Sequence, residues 1–113
     1  MSATAAPAAG SAERRASWQQ SATVALDIGP GRGALVLYPG DRFRGREIEI
    51  SPDGPDGHRV HTGVHERMTQ AGPVLTAIFG SLPAGEYVVW IDADEAGPTV
   101  TVPEASVAEL RLD

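Results

Sequence analysis

From Thr23 onward, apolar and polar residues alternate with a period of two, and Gly- and Pro-containing clusters cut the pattern at nearly regular intervals. Such alternation marks half-buried strands, because successive side chains of a strand point to opposite faces. The pattern predicts strands at 24–28, 34–38, 47–50, 59–68, 74–79, 86–91, 99–102 and 107–112, with no convincing helix. Between them lie turn sequences such as Gly29-Pro30-Gly31-Arg32-Gly33 and Leu82-Pro83-Ala84-Gly85, in which Pro presets φ and Gly takes positive φ without steric cost.

Alternation also assigns faces. Ile48 and Ile50 should point inward while Glu47 and Glu49 point out; Tyr87, Val89 and Ile91 should oppose Glu86, Val88 and Trp90; Ala108, Leu110 and Leu112 should oppose Val107, Glu109 and Arg111. One wet and one dry face per strand predicts an all-β fold: a sandwich of seven or eight mainly antiparallel strands, as in immunoglobulin-like architectures. Residues 1–22 are rich in Ala and Ser and hold few large apolar side chains, so a disordered tail is expected there, with the sandwich domain over 23–113. Trp18 is the exception in that tail: a short helical turn over 11–20 could dock its indole on the domain, although an exposed indole in a mobile tail is the simpler expectation.

With 113 residues there is room for one domain. The absence of Cys removes disulfides, thiolate metal sites and a Cys nucleophile. All nine basic residues are Arg, a bias that a GC-rich bacterial genome would produce. The segment after residue 22 carries fourteen acids against seven arginines, so a nucleic-acid partner is not expected, since duplex binding needs a basic face. Neither a secretory signal nor an apolar run of about 20 residues is visible, so no membrane partner is expected and the expected address is the cytoplasm.

Ser81-Leu82-Pro83-Ala84-Gly85-Glu86-Tyr87-Val88-Val89-Trp90-Ile91, followed by an acidic loop and two closing strands, resembles the last three strands of prealbumin-like sandwiches, among them carboxypeptidase regulatory-like domains and collagen-adhesin B-type domains. The resemblance implies a buried Leu82 and Tyr87 and a turn at Gly85, and it carries no chemistry. The adhesin isopeptide bond needs Lys and Asn, and this chain has neither. The whole domain is also similar to small GC-rich bacterial proteins that carry a phospholipase label.

Three clusters hold candidate chemistry. His58-Arg59-Val60-His61-Thr62-Gly63-Val64-His65 contains all three histidines; on a helix His58, His61 and His65 would share a face fit for zinc or copper. On one regular strand, His61 and His65 would instead sit about 13 Å apart with His58 on the other face. No cofactor is therefore expected, with zinc or copper as the alternative. Asp92, Asp94 and Glu95 form an acidic loop that departs from a calcium-binding loop after its third position. Arg42, Arg44 and Arg46 would align if extended and hold a phosphate or carboxylate, although pairing with nearby acids is the simpler outcome.

A hydrolase lacks support in the motifs: there is no G-x-S-x-G elbow, and Gly80-Ser81 sits at a strand-to-turn junction. The reading is a non-catalytic module binding a protein partner or small ligand, or pairing as a homodimer, through loops or an open sheet edge. Its expected contacts are Arg42, Phe43, Arg44, Arg46, the face carrying His61, His65 and Arg67, and an exposed Trp90. The alternatives are a metal-binding protein and a small hydrolase of the phospholipase-labelled type.

Overall fold

The structure, a computed structural model, describes residues 26–54 and 57–113. Among the described residues eight strands follow one another: β1 (Arg32–Pro39), β2 (Glu47–Pro52), β3 (Val60–Gly63), β4 (His65–Thr69), β5 (Gly72–Pro83), β6 (Gly85–Trp90), β7 (Ala96–Val102) and β8 (Val107–Leu112), with a 3-10 turn, Asp41–Phe43, between β1 and β2. They form two four-stranded sheets, in the order β4-β5-β1-β8 and β3-β2-β6-β7. All pairings are antiparallel except β1 with β8, which run parallel in register from Ala34 opposite Val107 to Pro39 opposite Leu112. The all-β sandwich of eight mainly antiparallel strands is the fold that the alternation predicts.

The core lies between the sheets. Leu35 and Leu37 of β1, Ala77 and Phe79 of β5 and Leu112 of β8 face Ile48 and Ile50 of β2, Tyr87 and Val89 of β6 and Val102 of β7. The predicted inward residues are inward: Ile48, Ile50, Tyr87, Val89 and Leu112 are buried, and Ile91, Ala108 and Leu110 pack against the same cluster. Each of these removes apolar surface from water at about 25 cal/mol per Å². Gly85 has a φ of 150°, in the region that glycine enters freely, and starts β6 as the Leu82-Pro83-Ala84-Gly85 turn requires.

One predicted strand is two. Instead of one strand over 59–68, the chain crosses at the buried Val64 from β3 in one sheet to β4 in the other. Gly63 lies at the crossing with the His65 imidazole folded over it, and a Cβ there would lie 2.9 Å from Nε2. The expected tail over 1–22 lies outside the described residues, as do Val24 and Ala25 of the first predicted strand. Leu26–Ile28 of that prediction belongs to no named strand, but the Asp27 N–H donates to the Gly80 carbonyl of β5 at 3.0 Å.

Candidate functional site

The two ends of the second sheet use their side chains in opposite ways. At the N-terminal end of β2, the segment Asp41–Phe43 is a 3-10 turn, so Arg42, Arg44 and Arg46 do not align on an extended face. Phe43 is fully buried in the core, which corrects its assignment as a contact residue: its ring fills the end of the sandwich, where no partner can touch it. The guanidinium groups of Arg42 and Arg46 lie 4.7 and 5.1 Å from its ring centroid. Each arginine then finds a separate partner inside the molecule. Arg42 donates to the Asp113 carbonyl at 2.6 Å, Arg44 to the Asp41 carboxylate at 3.0 Å, and Arg46 to the Ile91 carbonyl at 3.0 Å. The three guanidinium groups are dispersed rather than gathered around an anion.

Trp90 is likewise engaged internally. Its indole N–H donates to Ser51 Oγ at 3.0 Å, and the Arg59 guanidinium stacks 3.6 Å from the ring centroid. Arg59 is itself held at 2.9 Å by both the Glu49 carboxylate and the Ala93 carbonyl. Trp90 is therefore half-buried under a clamped arginine, not an exposed contact.

The histidines are divided by the crossing at Val64. His58 lies in the loop before β3, His61 on β3 of the second sheet with Nδ1 3.7 Å from Glu47, and His65 on β4 of the first sheet. Among the described residues, no group of three or more His, Asp and Glu side chains is placed to hold a metal ion. The expected shared face of His61, His65 and Arg67 is also corrected, because the first belongs to one sheet and the other two to the opposite one. Arg67 is half-buried, and among the described residues its Nε has no hydrogen-bond partner.

Two further candidates are accounted for locally. Asp92 accepts the Asp94 N–H at 2.9 Å, closing a turn that Ile91 and Glu95 brace through their backbones. Ser81, the serine of the Gly80-Ser81 junction, accepts from Arg32 Nε at 2.6 Å, so its hydroxyl is held by a cation rather than by an imidazole base.

The opposite end of the second sheet is open. Here Pro52, Asp53 and Gly54 at the end of β2, Gly57, His58 and Val60 leading into β3, Leu82 and Pro83 at the end of β5, and Tyr87 on β6 line a cleft of about 530 Å³. Its walls are fixed by the backbone. The Tyr87 hydroxyl donates to the Pro83 carbonyl at 2.6 Å, the Ala84 N–H to Gly31 at 2.9 Å, and the Asp53 N–H to Glu86 at 2.8 Å. Burial raises the Tyr87 phenol above its ordinary pKa, and the Arg32 charge partly opposes the shift. Leu82 and Tyr87 are buried and form the floor. Val60 is the informative wall residue. Its register partner Ile50 is fully buried, and paired residues share a face, yet Val60 is 44% exposed. An apolar side chain on the inner face of a sheet that still meets solvent lacks something to pack on. Asp53 and His58, both exposed, put a carboxylate and an imidazole on the same cleft.

Sequence reasoning missed this cleft because its lining comes from separate segments that meet only in the fold. The available signal was the Leu82-Pro83-Ala84-Gly85-Glu86-Tyr87 motif, which fixes one wall. Among the described residues, no helix is long and apolar enough to cross a membrane. No protein-family model matches the chain, and searches of curated proteins and of solved structures return no match.

Proposed function

We propose that the chain is a non-catalytic binding module of the bacterial cytoplasm, and that its site is the cleft between the end of β2 and the β5–β6 turn. The occupant that fits best is a short segment of a partner protein carrying a large apolar side chain beside a basic one. The observation that carries this reading is Val60: an apolar, inward-facing residue left open beside Pro52, Leu82, Pro83 and Tyr87. Pockets that bind ligands combine such an apolar lining with a few polar groups that set orientation.

The charge of the occupant follows from Asp53 in the cleft and from the excess of acids over arginines in the domain, which favours encounter with cations. The prealbumin-like resemblance of 81–91 fits a module whose loops at one end do the binding, as sandwiches use loops that a rigid scaffold positions. Selection from a random peptide library on the full chain tests the proposal. Enriched sequences should pair an aromatic or branched aliphatic residue with Arg or Lys, and Val60→Arg should abolish their binding. Enrichment of acidic sequences, or binding indifferent to Val60→Arg, would contradict it.

A further inference from the structure

The four edge strands of the two sheets differ in how they are guarded. β3 has four residues and β4 five, while β7 carries Pro98 and a break of register against β6. Short strands, Pro and bulges are the usual devices that keep a sheet edge from pairing with another chain. β8 has none of them: it runs six residues without Gly or Pro, and its register with β1 is unbroken from Ala34 opposite Val107 to Pro39 opposite Leu112. Among the described residues, no strand pairs with its other side.

The bonds toward β1 fix the direction of the β8 backbone groups. The Ser106 carbonyl accepts the Ala34 N–H at 3.0 Å, and the Leu112 carbonyl accepts the Gly40 N–H at 2.6 Å. These groups alternate along a strand, so Ala108, Leu110 and Leu112 aim their backbones at β1, and Val107, Glu109 and Arg111 aim theirs at the free edge. Side chains alternate with the same period. Ala108 and Leu110 are half-buried on the core side; Glu109, whose carboxylate accepts the Tyr38 hydroxyl, and the exposed Arg111 stand on the outer face. Among the described residues, Arg111 forms no ion pair.

We propose that β8 is the surface through which two copies of the chain pair, antiparallel across a two-fold axis at Leu110. An antiparallel ladder sets outward-facing backbone groups opposite one another, so the axis must fall on a residue of β8 rather than between two. An axis at Glu109 or Arg111 brings like charges face to face, and one at Ala108 or Leu112 leaves most of each strand unopposed. At Leu110, Glu109 of each copy stands opposite the partner's Arg111, and the two half-buried Leu110 side chains meet on the core side. No residue that lines the cleft belongs to β8, so the pairing leaves the cleft open and is independent of what the cleft binds. An interface of one strand pair falls at the small end of specific interfaces, below about 1,200 Å², where association is weak and transient.

Sedimentation of the full chain tests this, with wild type passing from monomer to dimer between about 10 μM and about 1 mM, the range of a weak complex. Glu109→Arg and Arg111→Glu should each stay monomeric alone, because like charges then face each other. An equimolar mixture of the two should associate, because every cross-strand pair is again of opposite charge. Glu109 also bonds Tyr38, so amide exchange in the wild type gives a second readout should Glu109→Arg unfold. The Glu109 and Arg111 amides, which face the edge, should exchange several-fold more slowly as concentration rises, and Arg111→Glu should remove that change. A chain that stays monomeric throughout overturns the proposal, as does exchange at Glu109 and Arg111 that ignores concentration. A dimer that both single variants keep, or one that mixing them fails to restore, overturns it as well.

Discussion

The two ends of the second sheet teach opposite lessons about what a conspicuous sequence means. The end at Asp41–Arg46 is dense in charge and carries an aromatic residue, yet every prominent group there is spent on the fold: Phe43 in the core, Arg42 and Arg46 over its ring, and all three arginines on separate internal acceptors. The end at Pro52, Val60 and Tyr87 is built of ordinary apolar residues and turns, and it is the one that leaves an inward-facing side chain open. A side chain whose interactions are complete within its own molecule has little to gain from a partner. One whose apolar surface stays wet gains from any partner that dries it.

Substitutions can break or sharpen this contrast. Phe43→Ala should have the largest effect, a loss of about 3–5 kcal/mol in denaturant unfolding, as for other buried aromatics. A loss below about 1 kcal/mol would return Phe43 to the surface and erase the difference between the ends. Gly85→Val should cost about 1–3 kcal/mol through backbone strain at its φ of 150°, with no clash at its Cβ, which would meet nothing within 4 Å.

Tyr87→Phe should cost about 1 kcal/mol for the bond to the Pro83 carbonyl. It should also change the alkaline limb of stability. Folding raises the Tyr87 pKa, so the unfolded chain ionises first, and wild-type stability should fall as pH rises through about 10. Thermal melts across that range should show a shallower fall in the Phe variant. The smallest effect is expected from replacing His58, His61 and His65 together with Ala. All three are exposed, so stability should stay within about 0.5 kcal/mol. Calorimetry on untagged protein should find no single zinc site tighter than about 1 μM, whereas structural zinc sites bind far more tightly.

The strands were legible wherever apolar and polar residues alternate without interruption, as at Glu47–Pro52, Gly85–Trp90 and Val107–Leu112, because alternation and burial there have one cause. The same reading failed over 59–68. A strand that changes sheets at Val64 keeps its alternation while the partner strand changes, and nothing local in Val60, Thr62 and Val64 encodes that change except Gly63. The histidine cluster dissolved for this reason. The arginine motif was legible as internal pairing but not in its partners, since the Ile91 and Asp113 carbonyls lie far along the chain, just past the ends of β6 and β8. Of the cleft only the wall at Leu82, Pro83 and Tyr87 was legible, because openness at Val60 depends on what the facing sheet fails to cover.

The most direct test follows amide resonances of the full chain while a selected apolar-basic peptide is added. The account predicts shifts at Asp53, His58, Val60 and Tyr87, little change at Arg42, Phe43 and Arg44, and loss of all shifts in Val60→Arg, whose guanidinium would occupy the place of the ligand's cation. Because Val60 is exposed, that variant should remain folded, with stability within about 0.5 kcal/mol of wild type. Shifts concentrated at the Asp41–Arg46 end, or a peptide that binds Val60→Arg as tightly as it binds the wild type, would contradict the account.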